Sequence, residues 1–312
     1  MSFFENLKKK KLEDKLKKKI IEVLNKPVSE VMSKYVISIQ KNEKLSQAGQ
    51  IIVGEKVSCV VVKDGDRPVG VVTERDFLKK APLNKKELEE LNVNYLMSPK
   101  LVTINPNTKV AEAVPILVKN NFRKLVVEKN GAMVGIVTQT DFVRLFDKFF
   151  DSLEVKTEDL LQVTQVMTKE VITTTKDTKF SDAKKLMSEK NIGSIIILED
   201  KKIAGIITEY DVTASIVENP EKCQSSTVNE LMISPVMTIS DDTNIFEANR
   251  LMVVDNVRRL PITNNDELKG IITQTDMCRS IFYFLQATLW HINKKSLKYE
   301  PLEKREIEKR LI

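Results

Sequence analysis

Hydrophobic positions along the chain recur in four units, and within each unit their spacing changes in the same order. Each has near its start a short apolar stretch carrying a central hydroxyl: Val36-Ile-Ser-Ile39, Leu101-Val-Thr-Ile104, Val171-Ile-Thr-Thr174 and Val236-Met-Thr-Ile239. Four residues of this kind suit a short strand. A segment of helical periodicity follows, keyed by Ala48, Ala113, Ala183 and Ala248 and preceded by Asn or Asp turn residues. A β-branched run comes next: Cys59 to Lys63, Leu125 to Glu128, Ser194 to Leu198 and Leu260 to Thr263. It turns through Asp-Gly, Asn-Gly, Glu-Asp or Asn-Asp into a second run, and Asp-Gly and Asn-Gly are hairpin signals. A helix led by an aspartate closes the unit. The pattern predicts β-α-β-β-α four times. At about sixty residues each unit is too small for an independent core, so neighbours are expected to pair.

Two marks fix the register. Each unit opens with a helical turn ending in Met: Val28-Ser-Glu-Val-Met32, Val93-Asn-Tyr-Leu-Met97, Val163-Thr-Gln-Val-Met167 and Val228-Asn-Glu-Leu-Met232. Each ends on a glycine-to-aspartate motif: Gly70-Val-Val-Thr-Glu-Arg-Asp76, Gly135-Ile-Val-Thr-Gln-Thr-Asp141, Gly205-Ile-Ile-Thr-Glu-Tyr-Asp211 and Gly270-Ile-Ile-Thr-Gln-Thr-Asp276. The offset from Met to the motif Asp is 44 in all four, and the starts step by 65, 70 and 65. The longer middle step groups the units as one-two and three-four. Thr and Asp at a strand-to-helix turn serve as a helix cap. They also suit a phosphorylated ribose, with hydroxyl and free N–H groups toward phosphate and carboxylate toward sugar hydroxyls. Four copies in one register ask for more than a cap.

Odd and even units differ. The second run is preceded by Phe122-Arg123-Lys124 and Val257-Arg258-Arg259 in units two and four, where units one and three bring Ser58-Cys59 and Gly193-Ser194. The residue before the motif Asp is Arg75 or Tyr210 in the odd units and Thr140 or Thr275 in the even ones. The closing helices of units two and four continue with Phe142, Phe146, Phe149 and Phe150, and with Ile281, Phe282, Phe284, Leu285 and Leu289. Such stripes are expected to pack between modules or between subunits. Ahead of the repeats, Leu12, Leu16, Ile20, Val23 and Leu24 stand at helical spacing among lysines, predicting an amphipathic helix within residues 1–26. Docking on the body is the simplest role for it, and an anionic membrane or nucleic acid the minority one.

Composition narrows the class. The 312 residues are 42% hydrophobic and 30% charged, which fits a soluble globular protein. The apolar run from Ile281 to Ile292 is too short to span a bilayer, and the early lysines stand in the wrong order for a signal peptide, so a cytoplasmic protein is expected. Of the formal charge of +6, residues 1–26 hold nine Lys against four acidic residues (+5) and residues 291–312 hold seven Lys or Arg against four Glu (+3). The remainder carries −2, so no basic nucleic-acid-binding face is implied on the body. Cys59, Cys223 and Cys278 are scattered and His291 is the only histidine, which makes no zinc pattern and no His-based acid–base site apart from that residue. Phosphate-loop, metalloprotease and nucleophile-elbow motifs are absent from the sequence, so no enzyme is expected.

The opening Val-x-x-(Val/Leu)-Met, the Gly-h-h-Thr-x-x-Asp motif and their constant spacing resemble the cystathionine-β-synthase (CBS) domain family, in four copies covering roughly residues 27–290. The resemblance implies an α+β (α/β) fold of two Bateman modules arranged as a disk, similar in organisation to the regulatory γ subunit of AMP-activated protein kinase. The expected boundaries are an N-terminal helix at 1–26, repeats at 27–82, 92–150, 162–218 and 227–290, and a charged tail at 291–312. It further implies an adenosine ligand (AMP, ADP or ATP) sensed on behalf of an unidentified protein partner. S-adenosylmethionine or a dinucleotide is the alternative ligand, and a scaffold or an adaptor acting through the basic termini is the alternative role. Carried over, Asp76, Asp141, Asp211 and Asp276 would hold ribose hydroxyls, and Thr73, Thr138, Thr208 and Thr273 phosphate or ribose oxygens. Ile37, Val102, Ile172 and Met237 would flank adenine, and Arg123, Lys124, Arg258 and Arg259 would supply cations to phosphate. Units one and three lack that basic pair; their sites are weaker, empty or served by the even units' cations across the cleft. The apolar stripes and terminal segments also lead to the expectation of a homodimer.

Overall fold

The computed structural model describes residues 10–99, 101–153 and 161–294. Helix α1 (Lys10–Asn25) precedes the repeats. Unit one comprises β1 (Ser38–Gln40), α2 (Leu45–Gly54), β2 (Cys59–Asp64), β3 (Arg67–Thr73) and α3 (Glu74–Lys80), and α4 (Lys85–Glu90) leads on from it. Unit two comprises β4 (Thr103–Ile104), α5 (Val110–Asn120), β5 (Lys124–Lys129), β6 (Ala132–Thr138) and α6 (Gln139–Asp151). Unit three comprises β7 (Thr173–Thr175), α7 (Phe180–Glu189), β8 (Ser194–Glu199), β9 (Lys202–Thr208) and α8 (Glu209–Glu218), followed by α9 (Lys222–Ser225). Unit four comprises β10 (Ile239–Ser240), α10 (Ile245–Val254), β11 (Arg259–Asn264), β12 (Glu267–Thr273) and α11 (Gln274–Lys294). The element order is the one the hydrophobic pattern predicts.

In every unit the opening strand runs parallel to the second, because a helix carries the chain back across the sheet, and the second and third form a hairpin. The opening strands begin later than expected. The carbonyl of Ile37, for example, accepts a single bond from Val61 N, and regular pairing starts only at Ser38↔Val61. The hairpin turn of unit three shifts by one residue, while Asn265-Asp266 and Asn130-Gly131 stand where the pattern places them. Asp200-Lys201 and Asn265-Asp266 take the two positive φ values, as Asn130-Gly131 does, while Glu199 remains in its strand. Two positive φ angles match the right-handed twist of the flanking strands. Units one and two each form a three-stranded sheet, and those of units three and four join through β9 and β12 at Lys202↔Glu267.

Neighbouring units are interlocked by the two sequence marks together. The chain just after each opening Met bridges to the third strand of the module partner: Ser33↔Ile136, Val71↔Ser98, Thr168↔Ile271 and Ile206↔Ile233. Met32 thereby lies on Gly135, Met97 on Gly70, Met232 on Gly205 and Met167 on Gly270, so closely that a Cβ on any of these glycines would overlap the methionine. The motif glycine is therefore a packing requirement set by the other repeat.

The main cores run the other way, between modules. One joins units one and three, with Phe77, Leu78, Ile52, Phe180, Ile216 and Val212 at its centre. The other joins units two and four. Helices α6 and α11 meet across the module boundary, as their apolar stripes predict, and Phe150 packs edge-on against Phe246, with ring centroids 3.7 Å apart. Helix α1 docks here, burying Leu16, Ile20, Val23 and Leu24 against a core that α5 and α11 also line. The side chain of Leu12, residues 1–9 and the tail from 295 lie outside the described residues. On the odd side, Gly49 lets α2 approach α8 closely, since a Cβ there would press on Val217 and Phe77.

Candidate ligand-binding site

Each motif Thr ends its third strand and caps the following helix. Thr138 Oγ1 accepts from Asp141 N, while Asp141 Oδ2 accepts from Thr138 N and Thr138 Oγ1, both at 2.8 Å. The same reciprocal box holds Thr73 to Asp76, Thr208 to Asp211 and Thr273 to Asp276. Only one oxygen of each carboxylate is used in this way. The other oxygen of Asp76 accepts from Ser98 Oγ and that of Asp276 from Arg279. Among the described residues, Oδ1 of Asp141 and of Asp211 accepts no hydrogen bond. Burial raises the pKa of both groups against the lowering effect of their Thr partners. Cap and ligand group are thus compatible uses of one side chain.

Three clefts border these turns, and each combines residues of different units. A cleft of about 710 Å³ brings Ile37 of unit one together with Thr138, Asp141 and Arg144 of unit two and Arg258 of unit four. A cleft of about 350 Å³ brings Thr73 and Asp76 of unit one together with Val102, Arg123 and Lys124 of unit two. A cavity of about 220 Å³ lies between the modules and is lined by Ile172, Thr273, Thr138, Arg123, Arg258 and Arg259. Met237, which is exposed, Thr208, Asp211 and Asp276 lie outside these three. The opening strand of one repeat therefore faces the Thr and Asp of its module partner. The even unit's basic pair reaches the odd unit's motif in the 350 Å³ cleft.

Three of the four expected cations already have protein partners. Arg258 is bidentate on Glu74, both bonds at 2.8 Å. Arg123 bonds both carboxylate oxygens of Glu209, whose Oε1 also accepts from Arg75 Nε at 2.7 Å. Lys124 Nζ donates to Ser58 O and Oγ. Arg259 alone of the four has no side-chain hydrogen bond or ion pair among the described residues. Its Nη1 lies 3.2 Å, and Arg123 Nη2 3.1 Å, from where a Cβ of Gly193 would stand, so the glycine makes room for two guanidinium groups. Burial, opposed by Glu209 and reinforced by Arg258 and Arg123, brings the Arg259 pKa down to about 10.

The motif position after Thr is Glu74, Gln139, Glu209 and Gln274, all buried, and sequence reasoning passed over it. In the even units Thr140 donates to Gln274 Oε1 at 2.7 Å and Thr275 to Gln139 Oε1 at 2.8 Å. The amides complete their bonding on the carbonyls of Phe122 and Val257. In the odd units Arg75 faces Glu209 in the corresponding way, whereas Tyr210 donates to Val53 O and Glu74 takes Arg258 of unit four. Burial alone would raise the Glu209 pKa, but Arg123 and Arg75 outweigh it and hold the group at about 2. The signal was present in the alternation of Glu and Gln between odd and even units.

The model of one family, the CBS domain, matches residues 28–82, 90–148, 163–218 and 228–283. The chain belongs to the CBS-domain family. Proteins built from CBS domains are regulatory ligand sensors. MJ1225, an uncharacterised protein of Methanocaldococcus jannaschii, is 28% identical over 184 residues, covering 57% of this chain and 65% of MJ1225. MJ1404 of the same organism is 26% identical over 233 residues, covering 70% of this chain and 52% of MJ1404. This CBS protein thus spans between half and two thirds of the length of both relatives. The crystal structure of MJ1225, described as a candidate archaeal homologue of g-AMPK, superimposes with a TM-score of 0.72 at 17% identity over 81% of this chain and 99% of that one. A conserved protein of Pyrococcus horikoshii superimposes at 0.55, with 16% identity over 82% and 100%. At these identities the likeness establishes the four-repeat CBS fold. Among the described residues no helix is long and apolar enough to cross a membrane.

Proposed function

We propose that this chain is a regulatory sensor that binds an adenosine nucleotide (AMP, ADP or ATP) in clefts between paired repeats and passes occupancy to a protein partner. The observation that carries this reading is the 710 Å³ cleft, where an apolar strand at Ile37, the Thr138 hydroxyl, the Asp141 carboxylate and the Arg258 guanidinium converge. These are the four chemistries a nucleotide needs: a wall for the base, an acceptor for sugar hydroxyls, and a donor and a cation for phosphate. Its volume falls in the usual range for small-molecule sites, roughly 300–1,000 Å³. Arg259 strengthens the case for phosphate over a sulfonium ligand, since it is a guanidinium beside two others without a carboxylate of its own.

The motif turns also line the boundary between modules, so occupancy has a route to module packing. A disk of two modules with its clefts turned inward belongs to the same proposal. Homodimerisation has less to rest on, because most of the described stripe residues of α1, α6 and α11 are buried within the chain, with Phe150, Phe284 and Leu289 partly covered. The test is titration calorimetry of the full chain with AMP, ADP, ATP, adenosine and S-adenosylmethionine. Phosphorylated adenosines are expected to bind more tightly than adenosine. Heat from none of them, or from S-adenosylmethionine alone, overturns the proposal.

A further inference from the structure

The two buried glutamates of the motif turns sit among arginines they do not share a module with. Glu74 belongs to unit one and takes Arg258 of unit four; Glu209 belongs to unit three and takes Arg75 and Arg123 of units one and two. Their side chains are 3% and 0% exposed, so neither carboxylate has water to fall back on. Arg258 and Arg123 are only about two-thirds covered and turn their free edges into the clefts. A planar carboxylate seated bidentate on a guanidinium fills the positions that two phosphate oxygens would take. An anion arriving in either cleft therefore meets a cation already satisfied by an internal one.

Charge count and sequence alternation agree. Arg75 and Arg123 share one carboxylate, Arg258 takes the other and Arg259 bonds to neither, so the guanidinium groups outnumber the carboxylates bonded to them. In the even units the same motif position is glutamine, neutral and hydrogen-bonded through both its oxygen and its nitrogen. The fold thus accommodates an amide where the odd units hold a charge.

We infer that Glu74 and Glu209 are built-in competitors for ligand phosphate, setting the anionic strength a ligand must have to win Arg258 or Arg123 and coupling that exchange to the contact between modules. This rests on the nucleotide-binding reading above. When phosphate takes Arg258, Glu74 loses its partner across the boundary, and a buried carboxylate without a counter-charge is relieved only by repacking or protonation. Ligands of low charge leave the ion pairs in place.

The experiment uses the full chain as wild type, Glu74→Gln and Glu209→Gln, the residue that units two and four carry there. Each is titrated calorimetrically with AMP, adenosine and inorganic pyrophosphate, with thermal unfolding confirming the folded state. Removing the competitor should tighten AMP and pyrophosphate about tenfold or more, ~1.4 kcal/mol, and leave adenosine within about twofold. Unchanged or weaker AMP and pyrophosphate binding in both variants overturns the inference, as does an equal gain for adenosine. If the wild type binds no adenosine compound, the nucleotide reading fails on its own. The pyrophosphate arm then still decides: a gain in the variants supports the competitor role, and no gain refutes it. The two glutamates lie in different modules, so one misfolded variant leaves the other to give the answer.

Discussion

Arg258 donates from both terminal nitrogens to the two carboxylate oxygens of Glu74, across 184 residues of sequence and from one module to the other. A bidentate pair with one partner 3% exposed should be coupled far more strongly than a surface bridge. In a double-mutant cycle of Glu74→Gln and Arg258→Gln, urea unfolding should give a coupling of about 1.5–3 kcal/mol. Additive single effects would reduce the pair to an incidental contact.

Acid should weaken the protein through Glu209. Its folded-state pKa, about 2, lies below the ordinary 4.5, so its ion pairs contribute fully above about pH 4.5 and are lost as pH falls toward 2. The contribution is of order 3 kcal/mol. Stability measured from pH 6 to 2 should fall more steeply in the wild type than in Glu209→Gln. Parallel curves would show that the pairs do not drive the loss.

The free oxygen of Asp141 separates its two uses. Asp141→Ala should cost about 1 kcal/mol of stability through the lost cap, and should weaken AMP about tenfold or more through the lost ribose acceptor. Calorimetry beside thermal unfolding reads both. A stability loss with unchanged affinity would leave the residue as a cap.

Arg259→Gln removes a guanidinium that supports no ion pair, so its effect should fall on binding. AMP affinity should drop by about fivefold or more with adenosine unchanged, since a cation–phosphate contact is worth about 1.5–3 kcal/mol at full strength. Calorimetry with both ligands checks it, and an equal loss for adenosine would contradict phosphate contact.

Gly135→Ala should destabilise by about 1–3 kcal/mol, because the new methyl collides with Met32. Met32→Ala in the same chain should restore some of that loss. The carbonyl of Ser33, also close to the glycine, limits the recovery. Thermal unfolding of the single and double variants measures it; no rescue would place the strain in the backbone.

The repeat, its element order and the pairing of neighbours were legible because the hydrophobic period changes at the same offsets four times. The Thr–Asp turns were legible for the same reason. The assembly of the clefts was not. Ile37 and Asp141 are about a hundred residues apart, and nothing local marks them as facing one another. Likewise, the partners of Arg123 and Arg258 are buried glutamates that look like ordinary helix-start residues, where an acidic side chain is favoured anyway. The main cores join odd with odd and even with even units. The sequence shows this only as stripes with no stated destination, because an apolar stripe records that a helix is covered and not by what.

The seat of each opening methionine on its neighbour's glycine has a consequence for how such a chain can grow or be cut. One repeat alone exposes a glycine notch and a methionine with nowhere to go, so it is not a unit that duplication could add singly. The steps of 65, 70 and 65 group the repeats in the same pairs. A protease that cut between repeats one and two would leave the halves clasped. A cut within 154–160 would leave each module a complete pair, joined to its fellow by helix packing, the Arg–Glu contacts and the Thr–Gln hydrogen bonds across the boundary.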